Sequence, residues 1–216
     1  MQRRMDGHRR RKRTGPLAIA VLAAVAALAA PPAANAGPLV ASAEGCTAAP
    51  LEQPFLPWLD PNYYVLVPNG GFESGASKWS LAGADVVHGN EPYYVHGAGE
   101  SKSLSIASGG SATSDVMCVG VEEPTLRLFV HSRSASLTSR LKVEVIFEDG
   151  SGGVHSLPIG YAPALTSTAW APSAPMVIGV NLLPLLDGKT PVKFRFTAQG
   201  SASWQIDDVY VDPRYR

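Results

Sequence analysis

Strand-length runs of alternating apolar and polar residues, each cut off by glycine or proline, constrain this chain more than any other feature. The clearest is Leu141-Lys142-Val143-Glu144-Val145-Ile146-Phe147. Leu141, Val143, Val145 and Phe147 point one way, with Lys142 and Glu144 opposite. A period of two belongs to an extended strand with one buried face. Similar runs occur at Tyr63 to Val67, Ser77 to Leu81, Ala84 to His88, Ser103 to Ile106, Leu126 to His131, Val154 to Leu157, Met176 to Val180, Val192 to Phe196 and Trp204 to Val211. Between them stand turn clusters such as Pro68-Asn69-Gly70-Gly71 and Glu148-Asp149-Gly150-Ser151-Gly152-Gly153. Only Asn181 to Leu186 offers a helical turn, and Pro184 limits it. The 21 Gly and 18 Pro fit many turns and few helices, and a 45% hydrophobic composition supplies a core. The predicted fold is all-β: a two-sheet antiparallel jelly-roll sandwich, with a closed barrel as the structural alternative.

The N-terminus reads differently. Residues 1–14 are basic, with seven of the chain's eighteen Lys and Arg against one acid, Asp6. An uncharged apolar run from Leu17 to Ala30 follows, then Pro31-Pro32 and the small-x-small triplet Ala34-Asn35-Ala36. Basic head, apolar run and small-residue site together spell a secretory signal peptide over 1–36. A run of about fourteen residues is shorter than the roughly twenty that span a bilayer. Export to the extracellular space and no membrane anchor after signal removal are therefore expected. The export route, general or twin-arginine, stays open. Beyond residue 14 the chain keeps eleven basic and seventeen acidic residues, a net charge of −6, which argues against nucleic acid as a partner.

Residues 37–62 read as an irregular Pro-rich arm. Gly37-Pro38, Pro50, Pro54, Pro57 and Pro61 deny it a helix, while Leu51, Phe55, Leu56 and Trp58 are apolar enough to pack on the β domain of residues 63–216. The two cysteines, Cys46 and Cys118, form an even pair in an exported chain and suggest a bridge that staples the arm. Without a C-x-x-C pair, neither a dithiol redox motif nor a cysteine zinc site is available.

Two short motifs frame the β domain. Asn69-Gly70-Gly71-Phe72-Glu73-Ser74-Gly75, followed by Trp79, stands near its start, and Trp204-Gln205-Ile206-Asp207-Asp208-Val209-Tyr210-Val211 closes it. The pair resembles the opening and closing strands of galactose-binding-like jelly rolls, a group that includes many bacterial carbohydrate-binding modules. The resemblance spans about residues 65–212 and is motif-like only at the two ends. It implies adjacent first and last strands, and a structural calcium where they meet. The residues carry the same suggestion. Trp204 and Ile206 share one face and Val209 and Val211 the other, so the phase slips at Asp207-Asp208, as in a β-bulge. Glu73 and Asp207 are the expected calcium ligands, with Asp208 in reserve if the bulge falls one residue later. The alternative is that Glu73 and Asp207 accept hydrogen bonds from turn amides.

No catalytic constellation stands out. His88, His96, His131 and His155 lack metal-ligand spacing, and no G-x-S-x-G elbow is present. The reading is a secreted, non-catalytic binding protein. The candidate partner is an extracellular polysaccharide or a cell-envelope glycan. A structural or interaction protein of the envelope is the alternative. Tyr93 and Tyr94, in a loop, and Arg127, Phe129 and His131, on the polar face of one strand, are the candidate ligand-binding residues. The tyrosines could equally pack on the arm near Phe55 to Trp58, and Phe129 beneath a loop. Trp79 and Trp204 are assigned to the core.

Overall fold

A computed structural model describes residues 38–43, 50–182 and 188–213. The signal segment, its cleavage site and Cys46 lie outside the described residues, as does most of the Asn181 to Leu186 turn. Eleven strands run antiparallel: β1 (Val65–Leu66), β2 (Trp79–His88), β3 (Lys102–Ser114), β4 (Met117–Gly120), β5 (Thr125–Ser132), β6 (Arg140–Glu148), β7 (Val154–Pro163), β8 (Ala171–Pro172), β9 (Met176–Val177), β10 (Lys189–Gln199) and β11 (Trp204–Asp212). The first and last pair directly, Val65 with Val211 and Leu66 with Tyr210.

The two layers are made by bending two long strands. The first half of β3, Leu104 to Ile106, lies between β2 and β11; its second half, Ser111 to Thr113, lies between β2 and β10. One layer thus joins β11, β5, β8, β9 and β1, and the other joins β4, β10, β6 and β7. Glycines make the corner. Gly83 interrupts the β2 register, and Gly83 and Gly109 both sit at positive φ. A Cβ on Gly110 would fall 2.3 Å from the Gly83 carbonyl oxygen, so the strands can cross there only without side chains. Gly109-Gly110, a pair that would often end a strand, instead folds one strand from layer to layer.

Between the layers lies the core. Leu141, Val143, Val145, Phe194, Phe196 and Trp204 are fully buried there, with Phe147 and Trp79 nearly so. Phe72, at φ +58, plugs the end of the core against Trp79, ring centroids 4.9 Å apart.

The arm differs from its sequence reading in one respect. Pro38–Ser42 forms a short helix, α1. Proline at a first helical position loses no hydrogen bond, because that N–H has no intrahelical acceptor. The next two amides, of Leu39 and Val40, donate to the two oxygens of Glu148 on β6 at 2.7 and 2.9 Å. Farther along the arm, Phe55 and Trp58 pack on the β domain. Phe55, Tyr64, Phe129 and Tyr210 form a second apolar cluster on the outer face of the β5–β11 layer, with Trp58 and Trp170 against it.

Candidate functional site

The phase slip expected at Asp207-Asp208 is present. Asp207 pairs with Phe129 and Tyr210 with Arg127, so three steps on β11 oppose two on β5. The extra residue turns Asp208 to φ +47 and keeps Val209 and Val211 on the core face with Ile206. Asp and Asn tolerate this left-handed backbone better than most residues.

Around the bulge the chain gathers acids. Oxygens of Glu91, Glu100 and Asp208, all buried, lie within 4.8 Å of one another. Asp208 Oδ1 and Oδ2 and Glu100 Oε1 are buried with no hydrogen-bond partner. The other Glu100 oxygen accepts from the Gly97 amide at 3.1 Å. Glu91 organises the loop that carries it: its oxygens accept from the amides of Tyr93 and Val95. Gly71 presses on the cluster, since a Cβ there would stand 3.0 Å from both Asp208 Oδ1 and Glu100 Oε1. Burial, and then the charges of Glu100 and Glu91, push Asp208 well above the usual carboxylate range. Asp207 moves the same way through burial and the Asp208 charge. Glu100 is raised by burial, against the pull of His96 and the Gly97 amide.

The two acids read from sequence sit beside this cluster and outside it. Glu73 Oε1 accepts from the amides of Ser101 and Lys102 at 2.8 and 2.7 Å. Asp207 accepts from the amides of Glu91 and Asp208 at 3.1 and 3.0 Å. Both bind amides, and Asp208, the reserve candidate, faces the cluster. Glu91 and Glu100 were missed. Their signal was acids in a Gly- and Pro-rich loop, Asn90-Glu91-Pro92 and Gly97-Ala98-Gly99-Glu100, with nothing in the sequence to say that the loop closes on the last strand.

The donor set is all oxygen. A hard cation suits it, and the absence of His or Cys from the cluster speaks against zinc. Three buried carboxylates, two of them with oxygens that lack a hydrogen-bond partner, fit calcium, which accepts many oxygens in flexible geometry; Glu91, Glu100 and Asp208 would hold it.

The five ligand-binding candidates divide. The fold does bring Tyr93, Phe129, Arg127 and His131 to one face, with Tyr93 and Phe129 ring centroids 5.7 Å apart. The arm occupies that face. Phe55 stacks on Phe129 at 5.4 Å, and Trp58 meets Tyr93 and Phe129 edge-on. Arg127 lies 4.1 Å over the Phe55 ring and donates to Asp60 and to the Ser173 carbonyl. Phe129 and Arg127 are buried. Tyr93, half-exposed, donates its hydroxyl to the Trp170 carbonyl at 3.0 Å, and Tyr94 is open to solvent. His131 packs beside Trp170.

The outer face of the other layer has a different character. Arg140, Lys142 and Glu144 on β6 face outward beside Arg195, Thr197 and Gln199 on β10 and Tyr161 on β7. Arg140 lies 4.4 Å over the exposed Tyr161 ring. The helix α1 meets this face at its Glu148 end.

No family model matches the sequence, and no curated protein matches it. Solved structures do. The Clostridium thermocellum endo-1,4-β-D-xylanase 10B CBM22-1–GH10 modules, complexed with xylohexaose, align at TM-score 0.50 and 16% identity over 70% of this chain and 28% of that one. In fold, the chain resembles carbohydrate-binding jelly rolls. A CBM61 structure in complex with β-1,4-galactotriose aligns at TM-score 0.41 and 18% identity, covering 68% of this chain and 96% of that one. The CBM22-1 xylan-binding domain of Paenibacillus barcinonensis Xyn10C aligns at TM-score 0.44 and 14% identity, covering 66% and 90%.

Proposed function

We propose that this chain is an exported, non-catalytic glycan-binding domain with a structural calcium ion. The carrying observation is the outer face of β10, β6 and β7. It sets an exposed aromatic ring, Tyr161, among side chains that can bond sugar hydroxyls. Aromatic rings supply apolar area to a pyranose face, and planar polar groups fix its orientation. The opposite outer face is filled by the arm, so a ligand there would first have to displace Phe55 and Trp58. Calcium, held by Glu91, Glu100 and Asp208, would neutralise buried carboxylates and fix the loop bearing Tyr93. The ion's part is structural; recognition belongs to the side chains of the open face.

The test is a glycan array probed with the exported protein and with Tyr161→Ala. Wild type should retain particular glycans, and the variant should lose them at an unchanged melting temperature. If the wild type retains no glycan, the glycan reading falls. The alternative, an envelope interaction protein that binds no sugar, draws on the arm-filled face, and a silent array would leave it standing. Export itself predicts a mature N-terminus at Gly37, read by N-terminal sequencing of the secreted protein.

A further inference from the structure

We infer that the open sheet face takes an acidic polysaccharide, one carrying uronic-acid carboxylates. The inference rests on the glycan-binding reading above and names the ligand class of that same face. The chain beyond its basic head is net negative. On this face the balance reverses: Arg140, Lys142, Lys193 and Arg195 stand with two carboxylates, Glu144 and the α1-bound Glu148, so two positive charges are in excess.

How Glu144 is used shows which cation remains available. Lys142 Nζ and Arg195 Nε both lie 3.0 Å from Glu144 Oε2, and the Ser156 hydroxyl donates to Oε1 at 3.2 Å. Burial opposes ionisation of Glu144, yet the hydrogen bonds and charges of Arg195 and Lys142 outweigh it and hold the carboxyl below its usual range. This carboxylate is therefore committed to two cations. Arg140 has none. Its Nε donates to Gln199 Oε1 at 2.8 Å, and its guanidinium lies over Tyr161. A guanidinium has five N–H donors, so four remain directed elsewhere. Its side chain is already positioned by a ring and an amide, so little rotamer freedom is lost on binding.

Geometry favours a polymer with planar acids. Arg140 and Glu144 are four residues apart on β6, and Arg195 pairs with Glu144. The two arginines are thus separated by roughly 13 Å along the strands at ~3.3 Å per residue. One sugar ring cannot reach both; a short run of linked sugars can. The guanidinium fork matches a planar carboxylate in bidentate fashion. Tyr161 lies opposite Lys142, and Thr197 flanks Lys142 on the other side, which places a ring, a cation and a hydroxyl in one row.

The experiment is affinity electrophoresis of the full exported protein. It is run through polygalacturonate, the same polymer methyl-esterified, a neutral galactan and a phosphodiester-linked teichoic acid. Retardation should be strong in polygalacturonate, about tenfold weaker in the esterified polymer, and reduced by raising salt from 50 to 500 mM. Arg140→Gln should weaken polygalacturonate binding about tenfold at an unchanged melting temperature. Equal retardation by esterified and acidic polymer, or binding only to galactan, overturns the uronate inference and leaves the glycan reading intact. Binding confined to the teichoic acid also overturns it, in favour of phosphate. No retardation by any polymer, with a silent array, overturns both.

Discussion

Removing the proposed calcium should reveal the cost of the buried acids. Glu91, Glu100 and Asp208 bring oxygens within 4.8 Å of one another, and three of those carboxylate oxygens are buried without partners. An ion bound only by the folded state stabilises it by about 2.7 kcal/mol at a hundredfold excess over its dissociation constant. A domain of this size shifts its midpoint by roughly 2–4 °C per kcal/mol. Chelator should therefore lower the melting temperature by about 5–11 °C relative to calcium-saturated protein.

The pH dependence should change as well. Asp207, Asp208 and Glu100 are all raised in the metal-free fold. A raised carboxyl contributes stability fully below its unfolded value, about pH 4, and loses it as pH rises through the folded value. In chelator, the midpoint should fall as pH goes from 4 toward 8; in calcium, which binds the ionised form, that fall should vanish. Asp208→Asn keeps the shape and tolerates φ +47 while removing one charge. It should stabilise the protein in chelator and destabilise it in calcium, relative to wild type. Scanning calorimetry with metal analysis reads all of this. An unchanged midpoint in chelator with no ion found would refute the metal. A calcium effect abolished by Glu73→Gln and untouched by Asp208→Asn would return the site to Glu73.

Three further outcomes test the frame. Phe55→Ala, at a fully buried ring beneath Arg127, should cost about 3–5 kcal/mol in denaturant melts; a loss below about 1 kcal/mol would show that the arm does not hold the Phe129 face. Gly110→Ala should prevent folding or lower the midpoint severely, because its Cβ would meet the Gly83 carbonyl at 2.3 Å, and a near-wild-type melt would refute the corner. Cys118 is not a free thiol, and Cys46 lies outside the described residues. A Cys46–Cys118 bridge, closing a loop of about 73 residues, would contribute on the order of 4 kcal/mol. Intact mass under denaturing conditions, alkylated with and without reductant, should show no labelled thiol before reduction.

Strand identity was legible in the sequence wherever one face is buried and the other wet. Leu141 to Phe147 and Val192 to Phe196 alternate, and their apolar members other than Ile146 belong to the core. The bulge was legible too, because a one-residue slip leaves a written trace: Ile206 and Val209 can share a face only if a residue between them is extra. What alternation does not report is what lies on top of a sheet. Arg127, Phe129 and His131 read correctly as the outward face of β5, yet the arm covers Arg127 and Phe129. Nor does it report closure of a long loop. Glu91 and Glu100 lie more than a hundred positions from Asp208, and only the tertiary fold makes them neighbours. Glycine pairs also carry two meanings, an end or a bend, and at Gly109-Gly110 the bend prevails because β2 and β10 both continue the pairing beyond it.

The bulge also explains why the two outer faces have different fates. On the β11 side, Asp207 fixes the Glu91 amide, Glu91 fixes the amides of Tyr93 and Val95, and Tyr93 rests on Trp58 of the arm. One step past the bulge, the Tyr210 hydroxyl donates to Glu52 of the arm, and His96 Nδ1 lies 2.9 Å from the same carboxylate. The acid cluster and the arm are therefore linked through one loop, and that face is closed by the residues that stabilise it. Among the described residues, most of the β10–β6–β7 face carries no such cover. Its polar side chains bond one another and leave Arg140 and Tyr161 at the surface. A face built to be covered is apolar and aromatic; a face built to meet a solvated partner keeps its charges. The division between the two layers follows that rule, and it is the reason the proposed recognition is assigned to the layer farther from the acid cluster.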